Sequence, residues 1–250
     1  MRGPVTLLKD AWGTFMMNPK LFFGIYLVPA LLTALFTILY GSEPEMTSIA
    51  SAGNTIVFIV FMIVLVVVSI LMGIAIIKAV SDPTQVTVKG AYEVAKKFAL
   101  SYTWIAILIG FAVLFGLVLL IIPGIIFAVW FGFSYYCLLF EDKRGVEALK
   151  ASKAYVKGKF WAVLGRYAFL GIVAIVVSVV IGIITVIGAA IAGQIGAAVI
   201  SFVFNAVLTP VAIAYSYLMY KDLSSGAVAT DDLSISPQPQ PEAVTAQSTV

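Results

Sequence analysis

Between Asn54 and Ile77 the chain carries no charged side chain and is built almost entirely of Ile, Val, Leu, Phe and Met. A helix of about 20 such residues, rising 1.5 Å per residue, crosses a hydrocarbon layer of ~30 Å. Five further segments have the same character, so the apolar runs are residues 21–40, 54–80, 102–122, 125–140, 161–187 and 195–220. Inside a bilayer every backbone N–H and C=O must find a partner within the protein, which leaves only helices and closed barrels. A barrel reads as weakly alternating segments of about ten residues. These runs are continuous and longer, so the expected class is all-α: a polytopic membrane protein with six transmembrane helices. Composition agrees, with 62% hydrophobic and 11% charged residues, where soluble domains sit near half and a quarter.

The placement of charge orients the chain. All 15 Lys and Arg residues fall in 1–20, 78–97, 143–166 and at Lys221, while the alternate loops 41–53, 123–124 and 188–194 hold none. The positive-inside rule then puts both termini and the two longer basic loops in the cytoplasm. No convincing signal peptide precedes the first run, which is expected to remain as an anchor. Three basic stretches also have helical amphipathicity. In residues 3–20, Leu7, Leu8, Ala11 and Phe15 share a face, and Asn18-Pro19 ends the pattern because a residue before proline avoids the α region. Residues 86–100 and 141–160 repeat the theme as short interfacial helices, the second with Lys143, Lys150, Lys153 and Lys157 opposite Ala148, Leu149, Ser152 and Val156. The order interfacial helix, span, span therefore occurs three times, which suggests a threefold repeat. Pro29 predicts a kink in the first span, and Pro123-Gly124 reads as the whole connection between the third and fourth. Residues 1–220 form the membrane domain. Residues 221–250 contain Pro-Gln repeats, no aromatic residue and little apolar bulk, which predicts a disordered cytoplasmic tail.

Catalytic inventory is thin. Histidine is absent, Cys137 is the sole cysteine, and none of the six runs contains Asp or Glu. Ionisable groups at bilayer depth are costly and mark function. Their absence argues against a carboxylate proton relay, a metal-dependent intramembrane protease and a Ser-His protease. No cofactor, metal or catalytic residue is expected, and no nucleic-acid partner. The candidate site residues are of two kinds. Lys150, Lys153, Lys157 and Arg166 are candidate contacts for lipid head groups, because a lysine near an anionic leaflet gains roughly 1 kcal/mol. Arg166 also fits a side chain that snorkels back to the interface. Asn205, Thr209 and Pro210 form a polar kink in the sixth run, read as interhelical hydrogen bonding or as the lining of a substrate path.

One stretch carries a resemblance. Pro123-Gly124 opening a span, Glu141 closing it, then Ala148-Leu149, Ser152, Gly158 and Trp161, together with Ala11-Trp12 and Asn18-Pro19, resemble the membrane domain found fused to some glycerophosphoryl diester phosphodiesterases. Related bacterial six-span proteins share it. Where that pattern often has an Arg near Val129, this chain has Trp130-Phe131. The resemblance implies a bacterial inner (cytoplasmic) membrane and a connection to lipids, but not the hydrolase activity. The leading expectation is a non-enzymatic accessory or scaffold protein near lipid metabolism. Its expected partners are membrane lipids, anionic ones included, and a further protein or a second copy of the chain. The rival is a permease or efflux component with an uncoupled path through the bundle.

Overall fold

The computed structural model describes residues 2–40, 52–119 and 121–234. Those residues are helical, with no strand among them. Helix α1 spans Pro4–Met17, α2 Pro19–Tyr40, α3 Ala52–Ser81 and α4 Val88–Leu119. Then come α5 Ile121–Phe131, α6 Ser134–Glu141, α7 Val146–Val156 and α8 Phe160–Ser234. Four helical stretches are long and apolar enough to cross a membrane: Thr55–Ser81, Val88–Val118, Ile121–Glu141 and Phe160–Ser225. Pro4–Met17 and Pro19–Leu35 meet the same test only as a pair, and they are bent by 80°.

The elements follow local chemistry. Asn18 ends α1 with φ −153° and ψ 72°, outside the α region that a residue before proline avoids. Its side chain donates to the Pro83 carbonyl at 3.1 Å, tying this corner to the α3–α4 loop. The last element, α8, is a hairpin. At Ala192 and Gly193 its torsions leave the helix, and Gly193 has φ 60°, which glycine adopts at little cost. Two arms then run back along each other: a Cβ on Gly196 would strike the Gly188 carbonyl, and far from the bend the Tyr215 hydroxyl donates to the Arg166 carbonyl at 3.2 Å.

Several boundaries differ from the sequence expectation, each for a visible reason. Residues 86–100 are not a separate interfacial helix but the opening turns of α4. Nothing between Ala99 and Tyr102 breaks a helix, so the change from amphipathic to apolar marks a change of surroundings only. Pro123-Gly124 is not the connection, since both residues lie inside α5. Proline fits a first helical turn, where its missing N–H has no partner to lose. Gly124 instead lets α5 close on α4, because a Cβ on Gly116 would sit 2.8 Å from the Gly124 Cα.

The fourth apolar run is two helices, parted at Gly132-Phe133 by a serine from α7. The Ser152 hydroxyl donates to the Trp130 carbonyl at 2.6 Å and accepts the Phe133 N–H at 3.1 Å. A side chain inserted into the i→i−4 ladder is a recognised cause of a bend. By contrast α2 passes through Pro29 as one helix. The Ile25 carbonyl that Pro29 leaves without a donor accepts the Tyr92 hydroxyl at 2.8 Å. Finally, α8 runs on through Ser234, so the tail does not begin at residue 221. Asp222 is paired with Arg2 and Leu223 is fully buried. Residues 235–250 lie outside the described residues, as do 41–51. The three basic helices also differ from one another: α1 meets its neighbour at a sharp bend, the head of α4 is continuous with it, and α7 stands apart.

Burial is lopsided. The buried side chains are those of one face of α1, the start of α2, the last turns of α3 from Ile74 to Val80, Ala91, Ala95 and Ile105 of α4, half of α6, the inner face of α7, and Val163 with residues between Ala206 and Leu223 of α8. Away from this cap the apolar surface is open: Ile56 to Val67, Phe111 to Val118, Ile121, Ile122 and Ile172 to Val203 are largely exposed. Continuous apolar faces of that size are not stable in water. They are the surface that hydrocarbon covers, so the chain is an integral membrane protein.

Candidate site at the basic end of the bundle

Helix α7 is docked by its small residues. Ala148, Leu149, Ser152 and Val156 are buried, and Ser152 is locked into the α5–α6 junction by the two bonds described above. Docking that face turns Lys150, Lys153 and Lys157 outward, and all three are exposed. Lys153 lies over the Trp130 ring, 4.1 Å from its centroid, a cation–π contact that fixes its stem and leaves the ammonium accessible. Trp161 at the head of α8 is 80% exposed. Three lysines on one exposed helix face form a surface suited to phosphate-bearing head groups.

Behind that edge sits a carboxylate the sequence did not single out as a site residue. Glu141, the last residue of α6, accepts the hydroxyls of Tyr155 at 2.9 Å and Tyr220, and pairs with Lys143 at 2.7 Å. Three parts of the chain meet there: the end of α6, α7 at Tyr155 and the second arm of α8 at Tyr220. The bond to Glu141 holds the Lys143 ammonium above the usual lysine range, against partial desolvation. Burial, reinforced by the Glu141 carboxylate, pushes the Tyr155 hydroxyl up. The αL conformation of Asp142, φ 51°, stops α6 and turns the chain toward α7. Tyrosines 79 and 14 residues away give no local signal of such a node.

Arg166 is half-buried and its guanidinium donates to backbone carbonyls. Its Nε and Nη2 donate to the Arg2 carbonyl at 3.1 and 2.8 Å, and Nη1 donates to the Ala162 carbonyl at 2.8 Å. Arg2 in turn reaches Asp222 through Nη2 at 2.8 Å and Asp10 through Nη1 at 2.9 Å. The hydrogen bond that the Arg2 guanidinium donates to Asp222 is the main cause that raises its pKa further above its ordinary range. The two arginines thus clamp the N-terminus onto both arms of α8. No spacing in the sequence announces a contact across 164 residues.

The polar kink borders two cavities along the second α8 arm. Asn205 is exposed and donates to the Ser201 carbonyl of its own helix at 2.8 Å, so its amide group is not spent on a neighbouring helix. It lines a cavity of about 390 Å³ with Thr33, Ser201 and Tyr26, between α2, α3 and α8. Thr209 lies beside the Tyr26 hydroxyl and lines a second cavity, of about 480 Å³, between the α8 arms and Leu8 of α1. Pro210 is buried. Cys137 is fully buried with its thiol free. Among the described residues no three His, Cys, Asp or Glu side chains stand close enough to hold a metal ion. No family model matches the chain, nor does any curated protein or solved structure.

Proposed function

We propose that this chain crosses the inner membrane of a bacterium six times, with both termini and the packed cap in the cytoplasm. There it serves as a non-enzymatic accessory protein that holds anionic lipid at its surface. The six crossings are α2, α3, α4, the α5–α6 pair and the two arms of α8. The observation that carries the reading is the outward face of α7, where Lys150, Lys153 and Lys157 are exposed while Ser152 fixes the helix from behind. At roughly 1 kcal/mol per lysine near an anionic leaflet, three give on the order of a hundredfold preference for anionic lipid. The kinship with the membrane domain of phosphodiesterase fusions is part of this proposal, and its matching residues have structural work in the cap: Ser152 bends α5–α6, and Gly158, at φ 79°, turns the chain from α7 into α8.

The test is lipid retention. Protein extracted in native nanodiscs from a mixed membrane should carry anionic lipid above the bulk fraction. Replacing all three lysines with Gln should return that fraction to bulk. Equal retention by both forms would end the reading. A second function, passage of a small polar solute, draws on the exposed Asn205 in its cavity with Thr33 and Ser201. Uptake into proteoliposomes that is lost in Asn205→Leu would favour it.

A further inference from the structure

The cavity between α2, α3 and the second α8 arm holds polar groups that the fold itself does not use. Other serines in these helices bond back to the carbonyl four residues earlier: Ser69 to Leu65 at 2.8 Å and Ser216 to Ala212 at 3.0 Å. Back-bonding of this kind satisfies a hydroxyl where water is absent. Among the described residues the Ser201 hydroxyl makes no such bond, and Asn205 donates to the Ser201 carbonyl while its amide oxygen has no partner. The two residues are four apart, so they are neighbours on one helix face. Asn205 stands 12 residues from Gly193 at the bend and ten from Tyr215, which is bonded to Arg166 in the cap. That is about 18 Å of helix on one side and about 15 Å on the other, which is the middle of a ~30 Å hydrocarbon core.

The rest of the wall is apolar, with Pro29, Ala30, Met72 and Phe202 in it and no Asp, Glu, Lys or Arg. A volume of about 390 Å³, apolar walls and a few converging polar groups are the features of a small-molecule site between helices. Ala34 and Ala198 at its edge are exposed, so at this depth the cavity opens sideways to hydrocarbon. An occupant must therefore be uncharged, because nothing in the wall would neutralise a charge. Its polar end must offer a donor to the Asn205 oxygen and an acceptor to the Ser201 hydroxyl, and one hydroxyl group does both.

We propose that this cavity binds an uncharged lipid alcohol, with its hydroxyl between Ser201 and Asn205 and its hydrocarbon leaving past Ala34 and Ala198. The site rests on the reading of the chain as a membrane-spanning protein that holds lipid, but it is separate from the α7 lysines and needs no solute to cross.

The test compares two lipids that differ only at the hydroxyl. Full-length protein is reconstituted with diacylglycerol, or with the same molecule carrying a methyl ether in place of the hydroxyl, then re-extracted, and the retained lipid is measured by mass spectrometry. Wild type should retain about tenfold more of the alcohol than of the ether. Asn205→Leu, which keeps the bulk and removes the amide, should bring the two to parity, and because Asn205 is exposed its thermal midpoint should not fall below that of wild type. Ala34→Phe, at the exposed edge, should lower retention of both lipids. Parity in wild type, or a preference that Asn205→Leu leaves intact, would reduce the cavity to ordinary boundary lipid and overturn the proposal. Disulfide pairing of Ala34→Cys between copies that is lost in Asn205→Leu would also overturn it, by giving this face to a second copy of the chain. The form with Lys150, Lys153 and Lys157 changed to Gln separates the two lipid readings. If that form loses anionic lipid while alcohol and ether are held alike, the cavity site alone fails. If it keeps both its anionic lipid and the preference for the alcohol, the α7 reading fails alone.

Discussion

Two buried serines illustrate how a hydroxyl's worth depends on what it meets. Ser152 and Ser134 are both fully buried, yet Ser152 bridges Trp130 and Phe133 while Ser134 Oγ has no hydrogen-bond partner. Removing Ser152 Oγ leaves the Phe133 N–H orphaned, and an unsatisfied buried donor costs about 1–3 kcal/mol. Ser152→Ala is therefore expected to lower the thermal midpoint in detergent. Ser134→Ala, which removes an oxygen already without a partner, is expected to leave it unchanged or raise it. A drop for Ser134→Ala as large as that for Ser152→Ala would refute the assignment. The Glu141 node has a signature in pH. Tyr155 and Lys143 both lose protons later in the folded protein than in the unfolded chain. Their contribution is thus fully present below the unfolded values, near 10 for tyrosine and 10.4 for lysine. It is lost as pH rises through the raised folded values. Wild type should lose stability in that alkaline window, and Glu141→Gln should flatten the loss. An identical alkaline profile in Glu141→Gln would place its cause elsewhere.

Helix α2 survives its internal proline because another element supplies the missing donor, and this sets up a thermodynamic cycle. Tyr92→Phe removes the donor to the Ile25 carbonyl and should cost about 0.5–1.5 kcal/mol. With Pro29→Ala, the new backbone N–H takes that carbonyl, so Tyr92→Phe should cost much less in that background. Additive losses would show that the tyrosine serves something else. The α4–α5 crossing is comparable: Gly116→Ala forces a Cβ against Gly124, for an expected overpacking cost of about 1–3 kcal/mol. Gly182→Ala, with nothing within 4 Å, should be neutral or stabilising. What the sequence discloses about these elements follows what is local. The apolar runs, the buried faces of α1 and α7, the Asn18-Pro19 corner and the bend near Gly193 depend on residues near in sequence, and they were legible. A proline in a helix implies a freed carbonyl at i−4, but Tyr92 as its donor depends on how α2 and α4 pack. The same holds for Ser152 inside α5–α6. The lysines of α7 could be placed because amphipathicity decides which way they face. Arg166 could not, because its partner is the backbone of Arg2.

The molecule as a whole divides into a packed basic cap and an open apolar half, and that asymmetry explains where each kind of residue sits. In the cap, apolar side chains cover one another; Arg2–Asp222 links elements from the two ends of the chain, and Glu141–Tyr155 links α6 to α7. In the open half, hydrocarbon does the covering, so Ile and Val can face outward without penalty and helices need touch only where glycines allow it. The division also fixes a geometric expectation. If the positive residues and the cap share one side of the bilayer, the α8 bend must reach toward the other, because its two arms start and finish in the cap. Cys137 is buried, so the native chain offers an unreactive background for labelling. In proteoliposomes of one orientation, a membrane-impermeant maleimide should modify Lys157→Cys from one side only and Ile191→Cys from the opposite side only. Both positions are exposed, and Ile191 stands next to the bend. Reaction of both cysteines from the same side would mean that the α8 hairpin re-enters rather than crosses, and the count of six crossings would fall with it.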